Sequence, residues 1–386
     1  MLLNIVKHPL MQRLSRIKQL GLASVVYPGA QHTRFQHSLG AFHLMSEAIV
    51  SLSQKGVFIF DSEAEAVQAA ILMHDIGHGP FSHVLENTLI SDITHEEISL
   101  MMMEQINAEM QGKLNLALKI FKDDYPKRFL HQLISSQLDM DRLDYLRRDS
   151  FFTGVIEGNI GSARIIKMLN VVDDQLVVDS KGIYSIENFL ISRRLMYWQV
   201  YLHKTAVGYE KILVNLLLRA KYLAKNGRDI FAPPHLKYFL YNDVDAELFN
   251  NQPEALKNYE MLDDNDIWCC IKVWARNEDK ILSILSQDLL NRNIFHVEVR
   301  EGPISKEEIQ QIRESISKKN SVSEDDAQYL MSVNTIQKNM YDIHDENISI
   351  LYKNGEIKDI AESSEILNLA LLSKKNRKYY LCYQRI

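Results

Sequence analysis

The residues best suited to chemistry are concentrated in the N-terminal quarter of the chain. In HDIGHG, His74 lies next to Asp75, and Gly77 and Gly79 allow the chain to turn sharply after them. Neighbouring residues on a helix diverge by about 100°, so an adjacent His-Asp pair suits a metal beside a helix end. Alone, the pair is more typical of an ordinary helix C-terminus than of a metal site. Eight of the 13 histidines nevertheless fall in the first 95 residues: His8, His32, His37, His43, His74, His78, His83 and His95.

Two further segments provide additional ligands for such a metal. His37 lies in HTRFQHSLG, on the preceding predicted helix. One aspartate, with His37 and the His-Asp pair, would make four ligands on three helices, leaving positions open for water and substrate. Mixed imidazole and carboxylate ligands suit Mn, Fe, Co, Ni, Zn or Mg. The segment LDMDRLDY offers three candidates for that aspartate: Asp139, Asp141 and Asp144.

The elements that carry these residues are predicted to be mainly helical. Helices are expected over about 34–53, from about 61 into HDIGHG, and in short segments up to 148. A small hairpin is predicted at 171–179, and one long helix over about 186–225. The first of these helices has an apolar stripe at helical spacing, formed by Phe35, Leu39, Phe42, Met45 and Ile49.

The pattern changes near residue 262. WCCIKVWA (268–275) and IFHVEVR (294–300) are interpreted as strands separated by a helix. Residues 348–360 predict a hairpin with Asn354-Gly355 at its turn. The predicted fold is therefore mainly α, with a helical domain at 1–262 and a smaller α+β domain at 263–386.

Composition restricts the class of protein. The 386 residues carry a net charge of −6, which argues against an extended nucleic-acid surface. Three cysteines fit a reducing compartment rather than a disulfide scaffold. The sequence shows neither a signal peptide nor an apolar run long enough for a membrane helix. A soluble cytoplasmic protein without a membrane partner is expected.

Four motifs carry a resemblance to a known family. TRFQHSLG, HDIGHGPFSH, THEE and MDRLDYLRRDS, in this order, resemble the HD-domain phosphohydrolases, over residues 8 to about 210. More narrowly, they resemble the deoxynucleoside triphosphate triphosphohydrolase (dGTPase-like) branch, which includes the animal SAM-and-HD-domain enzymes. The resemblance implies one divalent metal ion (Mn, Fe, Ni, Co, Zn or Mg) and leaves room for a second Mg that accompanies the nucleotide. The implied metal ligands are His37, His74, Asp75 and Asp141.

The same resemblance implies roles for residues around the metal. His78, His95 and Glu86 would form the acid–base group, since phosphoester hydrolysis needs a proton for the leaving 5′-oxygen. Asp139 and Asp144 would be structural, with Asp144 in a salt bridge to Arg147 or Arg148. The residues implied to contact the phosphates are Arg34, His83, Arg142, Tyr145 and Arg193.

The implied sugar contacts predict selectivity for deoxyribose. Gln19 and Asp149 would hydrogen-bond the 3′-hydroxyl. Leu20 and Tyr201 would crowd the 2′ carbon, and a buried unpaired 2′-hydroxyl costs roughly 1–3 kcal/mol. Two alternatives remain open: Tyr201 as a core residue only, and Arg193 with Arg194 as an exposed helix pair.

Some positions depart from the family pattern. Tyr197 and Leu202 replace a histidine and a glutamine of the animal enzyme, so the base contacts should differ. Lys7 and Ser15 replace the charged residues that hold an activating guanine nucleotide there, so activation in that form is not expected. The segment that usually precedes HPLMQRL is missing, so either the chain is shortened or its regulatory end differs.

The resulting prediction is metal-dependent hydrolysis of deoxynucleoside triphosphates to deoxynucleoside and inorganic triphosphate, by a homo-oligomer. Two alternatives remain: an HD phosphohydrolase acting on another nucleotide phosphoester, and a catalytically weak, metal-containing nucleotide sensor.

Overall fold

The structure, a computed structural model, describes residues 1–81, 83–86, 88–338, 347–364 and 376–386. It is mainly α-helical, as predicted. The α-helices before residue 160 are α1 Leu2–Lys7, α2 Pro9–Arg13, α3 Arg34–Gln54, α4 Asp61–Met73, α5 His83–Glu86, α6 His95–Glu109, α7 Asn115–Phe121, α8 Arg128–Gln132 and α9 Met140–Thr153. The α-helices after it are α10 Ser162–Met168, α11 Ile183–Met196, α12 Lys204–Lys225, α13 Pro234–Tyr241, α14 Ala246–Asn251, α15 Pro253–Glu260, α16 Asp264–Trp274, α17 Lys280–Asn291, α18 Lys306–Asn320, α19 Glu324–Ala327 and α20 Ile360–Ser363.

Shorter helical turns connect several of these helices. A π-helix spans Tyr197–Tyr201. The 3₁₀ turns are Leu14–Arg16, Gly21–Val25, Ile156–Gly158, Ser180–Gly182 and Gln328–Leu330. No helix among the described residues is long and apolar enough to cross a membrane.

Two small sheets accompany the helices. The strands are β1 Leu169–Val172, β2 Gln175–Asp179, β3 His296–Arg300, β4 Met331–Lys338, β5 Ser349–Leu351, β6 Ile357–Asp359 and β7 Asn376–Tyr383. One sheet has the order β1-β2-β5-β6, with β2 and β5 parallel and the outer pairs antiparallel. The other is antiparallel, with the order β3-β7-β4. The predicted hairpins at 171–179 and 348–360 are confirmed, and they share the first sheet. The domain boundary near residue 262 stays a prediction.

The helix pair that carries the metal-site motifs is fixed by a helix cap and by core packing. Thr33 caps α3: its hydroxyl accepts from the backbone N–H of Gln36, while the Gln36 amide oxygen accepts from the Thr33 N–H. The buried face of α3 packs against α4 and α9. This face is lined by Ala41, Leu44, Met45, Ala48, Ile49 and Leu52. The first turn of α3 is therefore held in a fixed position beside the end of α4.

The strand predicted over 268–275 is wrong: this segment lies in α16. The Asp263 side chain caps the helix by accepting from the backbone N–H of Asn265. The Asp266 carboxylate accepts in turn from the backbone N–H of Asp263, so these N–H groups at the start of the helix have partners. The buried residues recur at helical rather than alternating spacing: Ile267, Cys270, Ile271 and Trp274. A short apolar run without a clear period left helix and strand indistinguishable from sequence.

The single long helix predicted over 186–225 is also wrong. It is divided into α11 and α12 by the π-helix, and His203 caps α12 by accepting from the backbone N–H of Thr205. π-Helical turns are often found at functional sites, and this one carries side chains that line a cleft beside the predicted metal site.

Candidate active site

Three of the four predicted metal ligands converge closely. Nε2 of His37 lies 2.9 Å from Oδ1 of Asp141 and 3.3 Å from Nε2 of His74. Nε2 of His74 lies 3.4 Å from the same Asp141 oxygen. Donor atoms that share one metal at about 2.1 Å are about 3.0–3.4 Å apart, so this spacing fits a single coordination sphere. Asp75, the fourth predicted ligand, borders the group, with Oδ1 3.4 Å from Nε2 of His74.

The second nitrogen of each imidazole is engaged away from this cluster. Nδ1 of His37 lies 2.8 Å from Oδ2 of Asp144, and Nδ1 of His74 lies 2.6 Å from the carbonyl oxygen of Ile71. Because both Nδ1 atoms face acceptors, both Nε2 atoms are directed toward the shared centre, as metal-binding histidines require. Asp144 is itself held by a bidentate salt bridge to Arg148, which confirms the predicted salt bridge.

Charge in the cluster is arranged to attract a cation. Burial alone would lower the pKa of His37, but the carboxylates of Asp141 and Asp144, which accept its N–H groups, hold that pKa well above its usual value. Burial would raise the pKa of Asp141, but the two histidines hold it well below its usual range. A metal ion would replace the proton between the same atoms, so the donor set fits a divalent ion.

A second group of titratable residues lies beside the first. The rings of His78 and His95 stack with centroids 3.9 Å apart, and Nδ1 of His95 lies 3.0 Å from Oε1 of Glu86. Burial, followed by the charge of Arg34, lowers the pKa of His78 to about 3. Burial would also lower the pKa of His95, but its hydrogen bond to Glu86 raises that pKa instead. The three predicted acid–base residues are thus brought together, with one neutral imidazole and one that favours its protonated form.

The HDIGHG segment is fixed by contacts from three distant parts of the chain. The guanidinium of Arg13 donates to the carbonyl oxygens of Ile76 and His78 at 3.3 and 2.9 Å. The hydroxyl of Tyr259 donates to the carbonyl oxygen of Gly77 at 2.8 Å. Ser99 Oγ accepts from the Gly77 N–H at 2.9 Å. This loop is therefore rigidly held, which keeps His74 and His78 in register with α6 and α9.

A cleft of about 430 Å³ opens next to these two groups. It contains six of the predicted substrate-binding residues: Gln19, Leu20, Arg34, Tyr145, Asp149 and Tyr201. Its wall also includes side chains that the sequence analysis did not assign to the site: Phe81, Val84, Val200, Ala206 and Glu210. Tyr197 and Leu202, the two departures expected to alter base contacts, line it as well.

The remaining predicted phosphate contacts are placed less completely. Arg142 and Arg193 both act electrostatically on Tyr145, and are therefore near the cleft wall. The guanidinium of Arg142 is 3.2 Å from Asp139. Arg193 is half-buried rather than exposed, and among the described residues its Nε and Nη1 have no hydrogen-bond partner. His83 begins α5, but its side chain lies outside the part of the chain that the structure describes.

At the far side of the cleft, Asp149 is buried within a small polar network. Its Oδ1 lies 2.7 Å from Nε2 of His32, and its Oδ2 accepts from the hydroxyl of Tyr201 at 2.8 Å. Burial, followed by the negative charge of Asp149, raises the pKa of Tyr201, so the hydroxyl keeps the proton that it donates. Tyr201 is consequently a polar member of the cleft and not only a core residue. The sequence analysis did not place His32 in this network.

Comparison with known proteins identifies two family regions in the chain. The model of the HD domain matches residues 34–148, and that of the HD associated region matches residues 160–227. A crystal structure of a phosphohydrolase from Bacteroides thetaiotaomicron is 65% identical with a TM-score of 0.97, covering 100% of this chain and 96% of that one. The uncharacterized protein YwfO of Bacillus subtilis is 32% identical over 388 residues, 97% of this chain and 86% of YwfO.

A more distant match covers just over half of the chain. The human deoxynucleoside triphosphate triphosphohydrolase SAMHD1 is 30% identical over 264 residues, 57% of this chain, and the matched part spans 42% of that protein. The matched HD region contains both histidines and both aspartates of the candidate metal group. On the HD-domain match and the full-length, 65%-identical match to the Bacteroides thetaiotaomicron phosphohydrolase, this chain belongs to the HD-domain phosphohydrolase superfamily.

Proposed function

We propose that this protein hydrolyses deoxynucleoside triphosphates to deoxynucleoside and inorganic triphosphate. One observation carries the proposal: Asp75 joins three parts of the site. Its Oδ1 lies 3.4 Å from His74 of the metal group and 3.4 Å from His78 of the acid–base group. Its Oδ2 accepts from Arg34, on the cleft wall, at 2.6 Å. A substrate in the cleft would therefore have its phosphates next to both groups.

Each group has a distinct task in this reaction. A divalent ion, when bound by His37, His74, Asp75 and Asp141, supplies Lewis-acid charge for the phosphate and for an attacking water. Arg34, Arg142 and Arg193 offer positive charge to the polyphosphate oxygens. His95, hydrogen-bonded to Glu86, is the proton donor for the leaving 5′-oxygen. His78 is held neutral against the His95 ring and fixes its orientation.

The sugar end supports a deoxynucleotide rather than a simple phosphoester. Gln19 and Asp149 offer acceptors for a 3′-hydroxyl, and Leu20 and Tyr201 reduce the space for a 2′ substituent. The human relative named above is a deoxynucleoside triphosphate triphosphohydrolase, which is consistent with a substrate of this class.

A panel of nucleotides tests the proposal. The protein is treated with a chelator, reconstituted with Mn, Fe, Co, Ni, Zn or Mg, and incubated with each deoxynucleoside triphosphate and with nucleoside monophosphates. Inorganic triphosphate, identified by phosphorus NMR, is the expected product. Monophosphate or orthophosphate as product would instead favour another phosphoesterase. Nucleotide binding without turnover under every metal would favour a sensor.

A further inference from the structure

His32 is a buried histidine outside both titratable groups of the active site. It lies in the loop before α3, and the residue is 2% exposed. The ring stacks on Phe152, with centroids 4.5 Å apart and an interplanar angle of 18°. Its Nε2 faces Oδ1 of Asp149 at 2.7 Å. The ring is therefore held both by stacking and by a short polar contact with a cleft residue.

The two ring nitrogens have different surroundings, which favour one of the two neutral tautomers. Nδ1 is buried and has no hydrogen-bond partner among the described residues. A proton on Nδ1 would be a buried donor without an acceptor, and it would turn the Nε2 lone pair toward a carboxylate oxygen. Neutral His32 with the proton on Nε2 avoids both penalties. In that form His32 donates to Asp149.

Asp149 is then fixed from both sides. Oδ1 accepts from His32 and Oδ2 accepts from Tyr201, so the carboxylate cannot rotate freely. Each oxygen of an ionised carboxylate keeps further acceptor capacity after one hydrogen bond. Asp149 lines the cleft, so this capacity is available to a donor group on a ligand.

His32 also holds the other predicted sugar contact through its backbone. The backbone N–H of Gln19 donates to the carbonyl oxygen of His32 at 3.0 Å. Gln19 lines the same cleft, and its buried Oε1 has no partner among the described residues. One residue thus anchors two acceptors that face the same end of the cleft.

We propose that the His32 side chain is a positioning residue for sugar recognition: it fixes Asp149, next to Gln19 in the cleft, so that the Asp149 carboxylate accepts a hydrogen bond from the 3′-hydroxyl of the substrate. This inference rests on the proposed function, because it requires a nucleotide sugar in the cleft. His32 itself contacts no substrate. It acts by removing the rotational freedom of the Asp149 carboxylate, which would contact the substrate.

Selectivity between substrates separates this role from simple packing. The full-length, metal-loaded protein is assayed with its best deoxynucleoside triphosphate and with the 2′,3′-dideoxy analogue. Wild type should prefer the 3′-hydroxyl substrate at least about 10-fold in kcat/KM, since a site that accepts from a hydroxyl discriminates against the analogue that lacks it.

His32→Leu keeps an apolar side chain against Phe152 but removes the donor. This variant should lower kcat/KM for the deoxynucleotide about 10-fold or more, mainly by raising KM. It should change kcat/KM for the dideoxy analogue little, so the ratio of the two kcat/KM values falls toward one. His32→Gln, whose amide N–H replaces the donor, should restore most of the preference for the substrate with a 3′-hydroxyl. Thermal unfolding of both variants confirms that they are folded.

The outcomes distinguish the two proposals. If wild type prefers the 3′-hydroxyl and His32→Leu keeps that preference, or slows both substrates equally, His32 is a packing residue and the inference is overturned. If wild type hydrolyses no deoxynucleoside triphosphate with any metal, the proposed function itself has failed.

Discussion

At the scale of single residues, the role of each histidine follows from what its second nitrogen faces. Nδ1 of His37 faces Asp144 and Nδ1 of His74 faces the carbonyl oxygen of Ile71, so both Nε2 atoms are available to a metal. Nδ1 of His95 faces Glu86, and its ring stacks on a neighbouring imidazole rather than joining the metal group. One type of side chain therefore serves two different chemical tasks within a single site.

The metal group predicts graded losses of affinity. Asp141→Asn removes a charged ligand and should abolish metal binding and hydrolysis while the protein stays folded. Asp144→Asn keeps all ligands but loosens His37, and should weaken metal affinity about 10–100-fold. Metal content after dialysis and metal titration measure both effects, with Asp123→Asn, a surface change, as control. Full metal occupancy and normal turnover in Asp141→Asn would remove this residue from the site.

The acid–base group predicts a loss of turnover without a loss of the metal. His95→Ala should keep the metal and lower turnover by roughly 10²–10⁴, the range for loss of a general acid. The same metal analysis, followed by single-turnover hydrolysis, measures both quantities. A metal-free His95→Ala protein would show that His95 supports the metal group instead.

Tyr201 combines a ring and a hydroxyl whose contributions separate in two variants. Tyr201→Phe keeps the ring and loses the hydrogen bond to Asp149, so it should weaken deoxynucleotide binding while retaining discrimination against ribonucleotides. Tyr201→Ala also opens space near the 2′ carbon and should narrow the ratio of kcat/KM between a deoxynucleotide and its ribonucleotide. An unchanged ratio in Tyr201→Ala would exclude a steric role for this ring.

At the scale of elements, local signals predicted most helices, whereas an apolar run without a clear period was assigned to a strand instead of a helix. The extents of α3 and α4 were recognisable because helical spacing of apolar residues is a local signal. The buried face of α3 was predicted only in part: it includes Met45 and Ile49 of the predicted stripe, but not Phe35. The segment of α16 carries apolar residues outside its buried face as well as on it. No helical period is therefore visible in its sequence, and it resembles a strand. The π-helix between α11 and α12 had no sequence signal, because its position depends on packing around the cleft.

Close packing between the end of α4 and α6 predicts strict size limits at Gly77. A Cβ there would lie 2.2 Å from the backbone nitrogen of Ser99 and 2.3 Å from the carbonyl oxygen of His95. Gly77→Ala should therefore displace α6 and lower the free energy of unfolding by about 1–3 kcal/mol, as overpacking does. Denaturant unfolding measures this. Gly302→Ala, where a Cβ would meet nothing within 4 Å, is the matched control and should be close to neutral.

At the scale of the whole molecule, residues far apart in sequence complete the site. Nε of Arg13 donates to the carbonyl oxygen of Leu262, while the same guanidinium holds the HDIGHG loop. Asp264 accepts from the backbone N–H groups of Lys18 and Phe81 at 2.9 and 3.2 Å. The candidate metal ligands could be identified from the sequence because a family motif marks them. These long-range supports and the His32 network could not, because nothing local in the sequence distinguishes them from ordinary polar residues.

The Asp264 junction predicts a pH dependence of stability. Burial raises the pKa of Asp264 to about 6, above its unfolded value of about 3.9. Folding therefore favours the protonated form: its stabilising contribution is complete below about pH 4 and is lost as pH rises through about 6. Relative to wild type, Asp264→Asn should gain about 1–3 kcal/mol in the free energy of unfolding between pH 5 and pH 8. Thermal unfolding at both pH values measures this, and exposed Asp229→Asn should show no such trend.

The bond that is cleaved provides the most direct measurement of the proposed reaction. The metal-loaded protein hydrolyses a deoxynucleoside triphosphate in water enriched in oxygen-18, and mass spectrometry locates the label. Attack at the α-phosphorus with a proton delivered to the 5′-oxygen predicts one heavy oxygen in inorganic triphosphate and none in the deoxynucleoside. Label in the 5′-hydroxyl, or release of deoxynucleoside monophosphate, would contradict it.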